Sequence, residues 1–188
     1  MPRPVLTLLA LLIFCCTNKY DLNYDDIKNL NKIIDSMYLL DQGNRTRLYE
    51  IDSLYDVAPQ TFMFVKNERI LTERLGEKYV SYKNDIEQLM QEIQMVDHSN
   101  TQKLIDLTKT YGFLSNERLG IYKAKAYMIF VHAPPEFFPE VSELISKEFN
   151  EGRINEYKME YIFWHINGRE GFPPTSGKNG KAIWRDLN

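Results

Sequence analysis

Leu75, Tyr79, Tyr82, Ile86, Leu89, Ile93 and Val96 recur at alternating spacings of four and three. On a helix of about 3.6 residues per turn that alternation draws one apolar stripe, whereas a strand, with its period of two, would scatter the same residues over both faces. Such a seam is that of a coiled-coil-like helix, and a solitary helix would leave it in water. The stretch therefore needs a partner. The chain's own helices are the first candidates. Self-association or a second protein meeting the same seven residues is the alternative, for which two tyrosines in the seam and Gly76 near its start are poorly suited.

The rest of the chain reads as further helices. Asp25 to Leu40 sets Ile27, Leu30, Ile33, Ile34, Met37 and Leu40 near one stripe after an acidic start, and Gly43 marks a stop. A second helix is expected over Asn44 to Tyr55, before Pro59, with Gln60 to Val65 as a connector. Ser99 or Asn100 can cap a helix carrying Leu104, Ile105 and Leu107, with Gly112 as its left-handed stop. Gly120 to Ala133 is apolar all round in its second half, Ala126 to Val131, which makes it the expected core helix. Pro134-Pro135 ends it, and helices over Phe137 to Asn150 and Asn155 to Gly168 follow. The tail, with Pro173-Pro174, Gly177 and Gly180, reads as an irregular arm pinned by Ile183 and Trp184. The expected fold is an all-α, single-domain helical bundle with one long amphipathic helix.

The N-terminus carries an address. Arg3 precedes an apolar run from Val5 to Phe14, then Cys15-Cys16 and polar Thr17-Asn18-Lys19. A positive start with an apolar run of about 7–15 residues is an export signal, too short for a spanning helix of about 20 residues. A cysteine at the cut is the bacterial lipoprotein pattern. Cys16, preceded by the smaller Cys15, is the expected lipidated residue; Cys15 and an ordinary secretory signal are the alternatives. The divisions are 1–15 signal peptide, 16–23 tether and 24–188 helical domain, giving a palmitate-bearing lipoprotein of the bacterial cell envelope, membrane-anchored and extracytoplasmic. With Cys16 acylated, the mature chain has no other cysteine and hence no disulfide or cysteine metal site. Hydrophobic residues at 44% and aromatics at 13% exclude a disordered chain. The net charge of −3, with scattered lysines and arginines, excludes nucleic acid as a partner.

No nucleophile elbow, phosphate-binding loop, dinucleotide fingerprint or His-Glu-x-x-His motif occurs, so no cofactor and no metal-ligand set is identified. Other motifs carry a likeness. Asp41-Gln42-Gly43-Asn44-Arg45 after a first helix, Asn100 with Leu104, Tyr111-Gly112-Phe113 and Val131-His132-Ala133 together resemble the mainly bacterial domain of unknown function numbered six-six-two-four. The resemblance implies a helical fold and marks Asp41, Gln42, Arg45, Tyr111, Gly112, Phe113, His132 and Ala133. It brings no activity. The chain departs from the family pattern at Val131, at His165-Ile166 and at Pro174-Thr175-Ser176-Gly177.

Topology points to the same region. His132 and His165 each end a helix, and one helix lies between those two. Two antiparallel turns would make the outer pair parallel and put both histidines at one end. Imidazoles there suit proton transfer or metal ligation, Asp41 or Glu136 can orient one, and Arg45 and Arg169 can hold an anion. Each also has a plainer role: a histidine at a helix C-terminus complements the macrodipole, Asp41 and Arg45 can simply pair across a turn, and His98 is expected in an exposed loop. The candidates are therefore His132, His165, Asp41 and Arg45 for catalysis, and Gln42 and Arg169 for ligand binding. Two functions follow: a membrane-anchored helical binding or scaffold module, or a small hydrolase-like or metal-dependent enzyme with a dispersed His/Asp/Arg site. Convergence of those four catalytic candidates distinguishes them.

Overall fold

The computed structural model describes residues 21–58, 68–120 and 125–185, and they are nearly all helical. Asn23 opens the first helix, α1 (Tyr24–Leu54), with a capping box: its side chain accepts from the Asp26 amide at 2.9 Å, and Asp26 accepts from the Asn23 amide at 3.2 Å. The expected break at Gly43 does not occur. An internal glycine costs a helix only about 1 kcal/mol, and the stripe of Leu30, Ile34, Met37, Asp41 and Asp52 keeps its register across it.

The seam helix is also longer than its sequence suggests. After a short helix, α2 (Glu68–Leu75), and a 3-10 turn over Gly76–Lys78, α3 runs unbroken over Tyr79–Tyr111. Ser99 and Asn100 cap nothing. Asn100 is buried and gives its amide to the Met37 carbonyl at 3.0 Å, so it ties α3 to α1. His98 consequently lies on a helix and not in a loop, although it is exposed.

The two long helices, each roughly 45–50 Å by the rise of 1.5 Å per residue, pack side by side. Contacts Asp52–Tyr82, Arg47–Glu92 and Met37–Asn100 show that they run antiparallel. Four of the seven seam residues, Tyr82, Ile86, Leu89 and Ile93, are at most 5% exposed, packed within the chain's own helices; Leu75, Tyr79 and Val96 are half-buried. Tyr82 is tolerable in that seam because its hydroxyl donates to Asp52 at 2.9 Å.

Four shorter helices and two short strands close the bundle. Gly112 (φ +72) ends α3 and gives way to α4 (Asn116–Leu119), which is stopped by Gly120 (φ +64). A side chain at Gly112 would strike Arg153, with a Cβ only 2.7 Å from its Cδ. The expected Gly120 to Ala133 helix is shorter as described: α5 spans Ala126–Val131, with Phe130 and Ile129 fully buried. It is central nonetheless, touching α1, α3 and the last helix. α6 (Phe138–Asn150) follows the prolines, and α7 (Glu156–Ile166) starts on the Asn155 cap. Buried Glu148 of α6 accepts from the Phe113 amide at 2.7 Å and from the Arg153 guanidinium, which fixes the chain after α3. The tail forms a minimal antiparallel pair, β1 (Thr175–Ser176) and β2 (Ala182–Ile183), against α7. Ile183 and Trp184 are about half exposed, and Ile183 closes over Gly177. The Gln60 to Val65 connector, the Cys16 anchor and most of the tether lie outside the described residues.

Gly43 has a helical backbone, and nothing lies within 4 Å of where its Cβ would be. Gly43→Ala should therefore raise stability by about 0.5–1 kcal/mol in denaturant unfolding. A loss instead would mean that α1 uses the glycine as a bend.

Candidate functional site

Asp41 is on the apolar stripe of α1, four residues after Met37, and so the helix period buries it at 1% exposed. A carboxylate there must be paired. Three side chains do so. The Gln42 amide donates to Oδ2 at 2.6 Å, Arg45 Nη1, one turn on, to Oδ1 at 2.6 Å, and His132 Nδ1, from the end of α5, approaches Oδ1 at 2.9 Å and Oδ2 at 3.2 Å. Arg45 also turns Nη2 across to α3, where Asp97 accepts on both oxygens at 2.9 and 3.0 Å. Residues from α1, α3 and α5 thus form one chain of charges: His132, Asp41, Arg45, Asp97.

The two carboxyls are driven apart. Burial alone would push Asp41 up, but the bond and charge of His132, with Arg45 and Gln42, outweigh it and hold the carboxyl below the ordinary 3.8. Asp97 goes the other way: burial raises it, the neighbouring Asp41 charge adds to that, and Arg45 and His132 recover only part. Asp41 ionised is an acceptor only, so the proton shared with His132 sits on Nδ1. Neutral His132 then keeps its free lone pair on Nε2. That is the arrangement in which a carboxylate orients a proton-accepting imidazole.

His132 is also placed to meet a ligand. A cavity of about 420 Å³ lies between α1, α3, α5 and α7, and Arg45, Asp97, His132, His165 and Arg169 all face it. A broader cleft of about 800 Å³ shares Gln94, Asp97 and His132 and continues past His98 and Glu136. Asp41 lines neither; it acts from behind the imidazole. Both volumes fall within the roughly 300–1,000 Å³ usual for small-molecule sites.

Of the sequence-predicted candidates, Asp41, Arg45 and His132 meet within hydrogen-bond distance, and His165 and Arg169 share their cavity. His165 stays outside the bonded network, its Nδ1 donating to the Tyr161 carbonyl at 3.0 Å. Burial pushes its pKa down, against that bond, and the charges of Arg169 and His132 push the same way. Gln42 gives its amide to Asp41 and lines neither cavity. Glu136 orients neither His132 nor His165; it lies 4.0 Å from exposed His98. Asp97 is the residue that sequence reasoning missed. Its signal was position, four after Ile93, where the seam first turns acidic.

Asp41, Asp97 and His132 can each bring a ligand atom within 4.8 Å of the others, a spacing that would suit a metal ion. The donors do not fit one as arranged, since Arg45 bonds both carboxylates and His132 gives Nδ1 to Asp41. The guanidinium already supplies the positive charge. No family model, curated protein or solved structure matches the chain.

Because the folded state holds the Asp41 pKa below the unfolded value, the stability this group adds is intact above about pH 4 and is lost as pH falls through its folded pKa. Asp41→Asn should cost about 3 kcal/mol at pH 7, the scale for breaking a buried pair, and should flatten the acid limb of a stability–pH curve. Parallel curves for parent and variant would refute the account of Asp41.

Proposed function

We propose that this is a lipid-anchored, extracytoplasmic helical protein that takes a small ligand into the cavity between α1, α3, α5 and α7. There His132, oriented by Asp41, exchanges a proton with the ligand in a hydrolase-like reaction. The observation that carries the reading is the Asp41–His132 contact of 2.9 Å at the wall of a ligand-sized cavity. His132 Nε2 would take a proton from a water or hydroxyl nucleophile, and the imidazolium formed would be stabilised by Asp41 and would return the proton to the leaving group.

Two further points favour this over a scaffold. The seam that a scaffold would have offered is buried against α1. Moreover, four of the eight residues singled out in the sequence, Asp41, Gln42, Arg45 and His132, are joined through Asp41. The anchoring part of the proposal rests on the order Arg3, Val5 to Phe14, Cys16.

Cys16→Ser should abolish labelling by a palmitate analogue and release the protein from membranes; a variant that still labels and pellets with membranes would end the anchor proposal. For the chemistry, turnover of p-nitrophenyl acetate and p-nitrophenyl phosphate can be compared between the full chain and His132→Gln, which keeps a donor to Asp41 but cannot titrate. Loss of about 10²–10⁴-fold on one probe, with little change in melting temperature, is the expected outcome. Equal rates for parent and variant on both probes would remove the proton-transfer role.

A further inference from the structure

The cavity wall is divided in character. Ile86, Met90 and Ile93 of α3 face Met128 and Val131 of α5 across it, while Arg169 stands where the chain leaves α7. The other charges on that wall are engaged: Arg45 holds Asp97, and Asp52 accepts from the Tyr82 hydroxyl. Arg169 is not. Among the described residues no carboxylate lies within ion-pair distance of its guanidinium. It is also set in place by an unusual turn. Gly168 has φ +93 and Arg169 φ +60, a left-handed conformation that side-chain-bearing residues rarely adopt. The backbone is tied there by the Arg169 amide donating to the Trp164 carbonyl at 2.9 Å.

A cavity with an apolar stretch of wall and an exposed guanidinium free of ion pairs at its edge fits a particular ligand chemistry. The planar fork of arginine matches a carboxylate in two parallel bonds, and the methionine and isoleucine walls favour hydrocarbon. We infer that the cavity takes a monocarboxylate with an unbranched apolar tail, its head on Arg169 and its tail between α3 and α5. The inference rests on the proposed function only in taking this cavity as the ligand site.

Trp164 offers a signal, since its ring lies 4.8 Å from that of His165 and 6.0 Å from that of Tyr161, both on the cavity wall. In the full chain in phosphatidylcholine nanodiscs, with the other tryptophan removed by Trp184→Phe, titration with acetate, butanoate and hexanoate should show affinity rising about fourfold per methylene. Hexanamide, of the same shape but uncharged, should bind about tenfold more weakly than hexanoate or worse, and Arg169→Gln should bring hexanoate down to that level. Hexanamide binding as well as hexanoate, affinity indifferent to chain length, or Arg169→Gln without effect would each overturn the inference. The two proposals fail separately. Hydrolysis that depends on His132 without hexanoate binding would discard this ligand class alone, and hexanoate binding without such hydrolysis would discard the proton transfer and keep the ligand.

Discussion

A single buried carboxylate sets the terms for the rest of the structure. Asp41 is carried into the interior because α1 repeats every 3.6 residues and its neighbours on the stripe, Leu30, Ile34 and Met37, are core residues. Leaving an ion there unpaired would cost several kcal/mol, a large part of a typical domain's stability of about 5–15 kcal/mol. Arg45 and Gln42 come from the same helix, but the third partner, His132, comes from α5. The end of α5 is therefore fixed against the middle of α1 by a demand for charge pairing, in addition to the apolar packing of Ile129 and Phe130.

The same polar logic sets the register of the two long helices. Apolar seams tolerate a slip of one heptad, since Ile, Leu and Met are interchangeable in volume. Polar pairs are less forgiving. Tyr82 must meet Asp52, Arg45 must meet Asp97, and Asn100 must meet the Met37 carbonyl. A slip would break all three at once and take the buried Asn100 away from the Met37 carbonyl. These contacts act as specificity elements spaced along an interface whose affinity is otherwise apolar.

The all-α fold was legible because periodicity reports which face of a helix is buried, and burial dominates local preference. Helix ends were less legible where a residue usually found at boundaries was serving another purpose. Gly43 lies on the exposed side of α1, where its cost is small against the packing on either flank. Asn100 resembles a cap in sequence, but its amide reaches across to another helix, a use that local sequence does not reveal. Much of the site was readable for a similar reason. His132 and Asp41 are 91 residues apart, yet Asp41 follows Met37 and His132 follows Met128 by about one helical turn, and His132 and His165 line one cavity. Asp97 escaped notice because the seam was read for its apolar members, and an acidic residue on a core-facing stripe signifies only once its partner is known.

The site divides its labour between groups that hold and a group that faces the ligand. Asp41, Gln42 and Arg45 are bound to one another, and Asp41 reaches no cavity. Removing one of them costs stability first. His132 is different: it shares in the network through Nδ1, is 16% exposed at its side chain, and stands at the wall common to the cavity and the broader cleft. A histidine needed only to neutralise Asp41 would gain nothing from that position, since Arg45 already provides a permanent charge 2.6 Å away. A permanent cation and an imidazole share the same carboxylate: His132 and Arg45 together hold the Asp41 pKa down, and of the two only the imidazole can pass a proton to and from a ligand at the cavity wall.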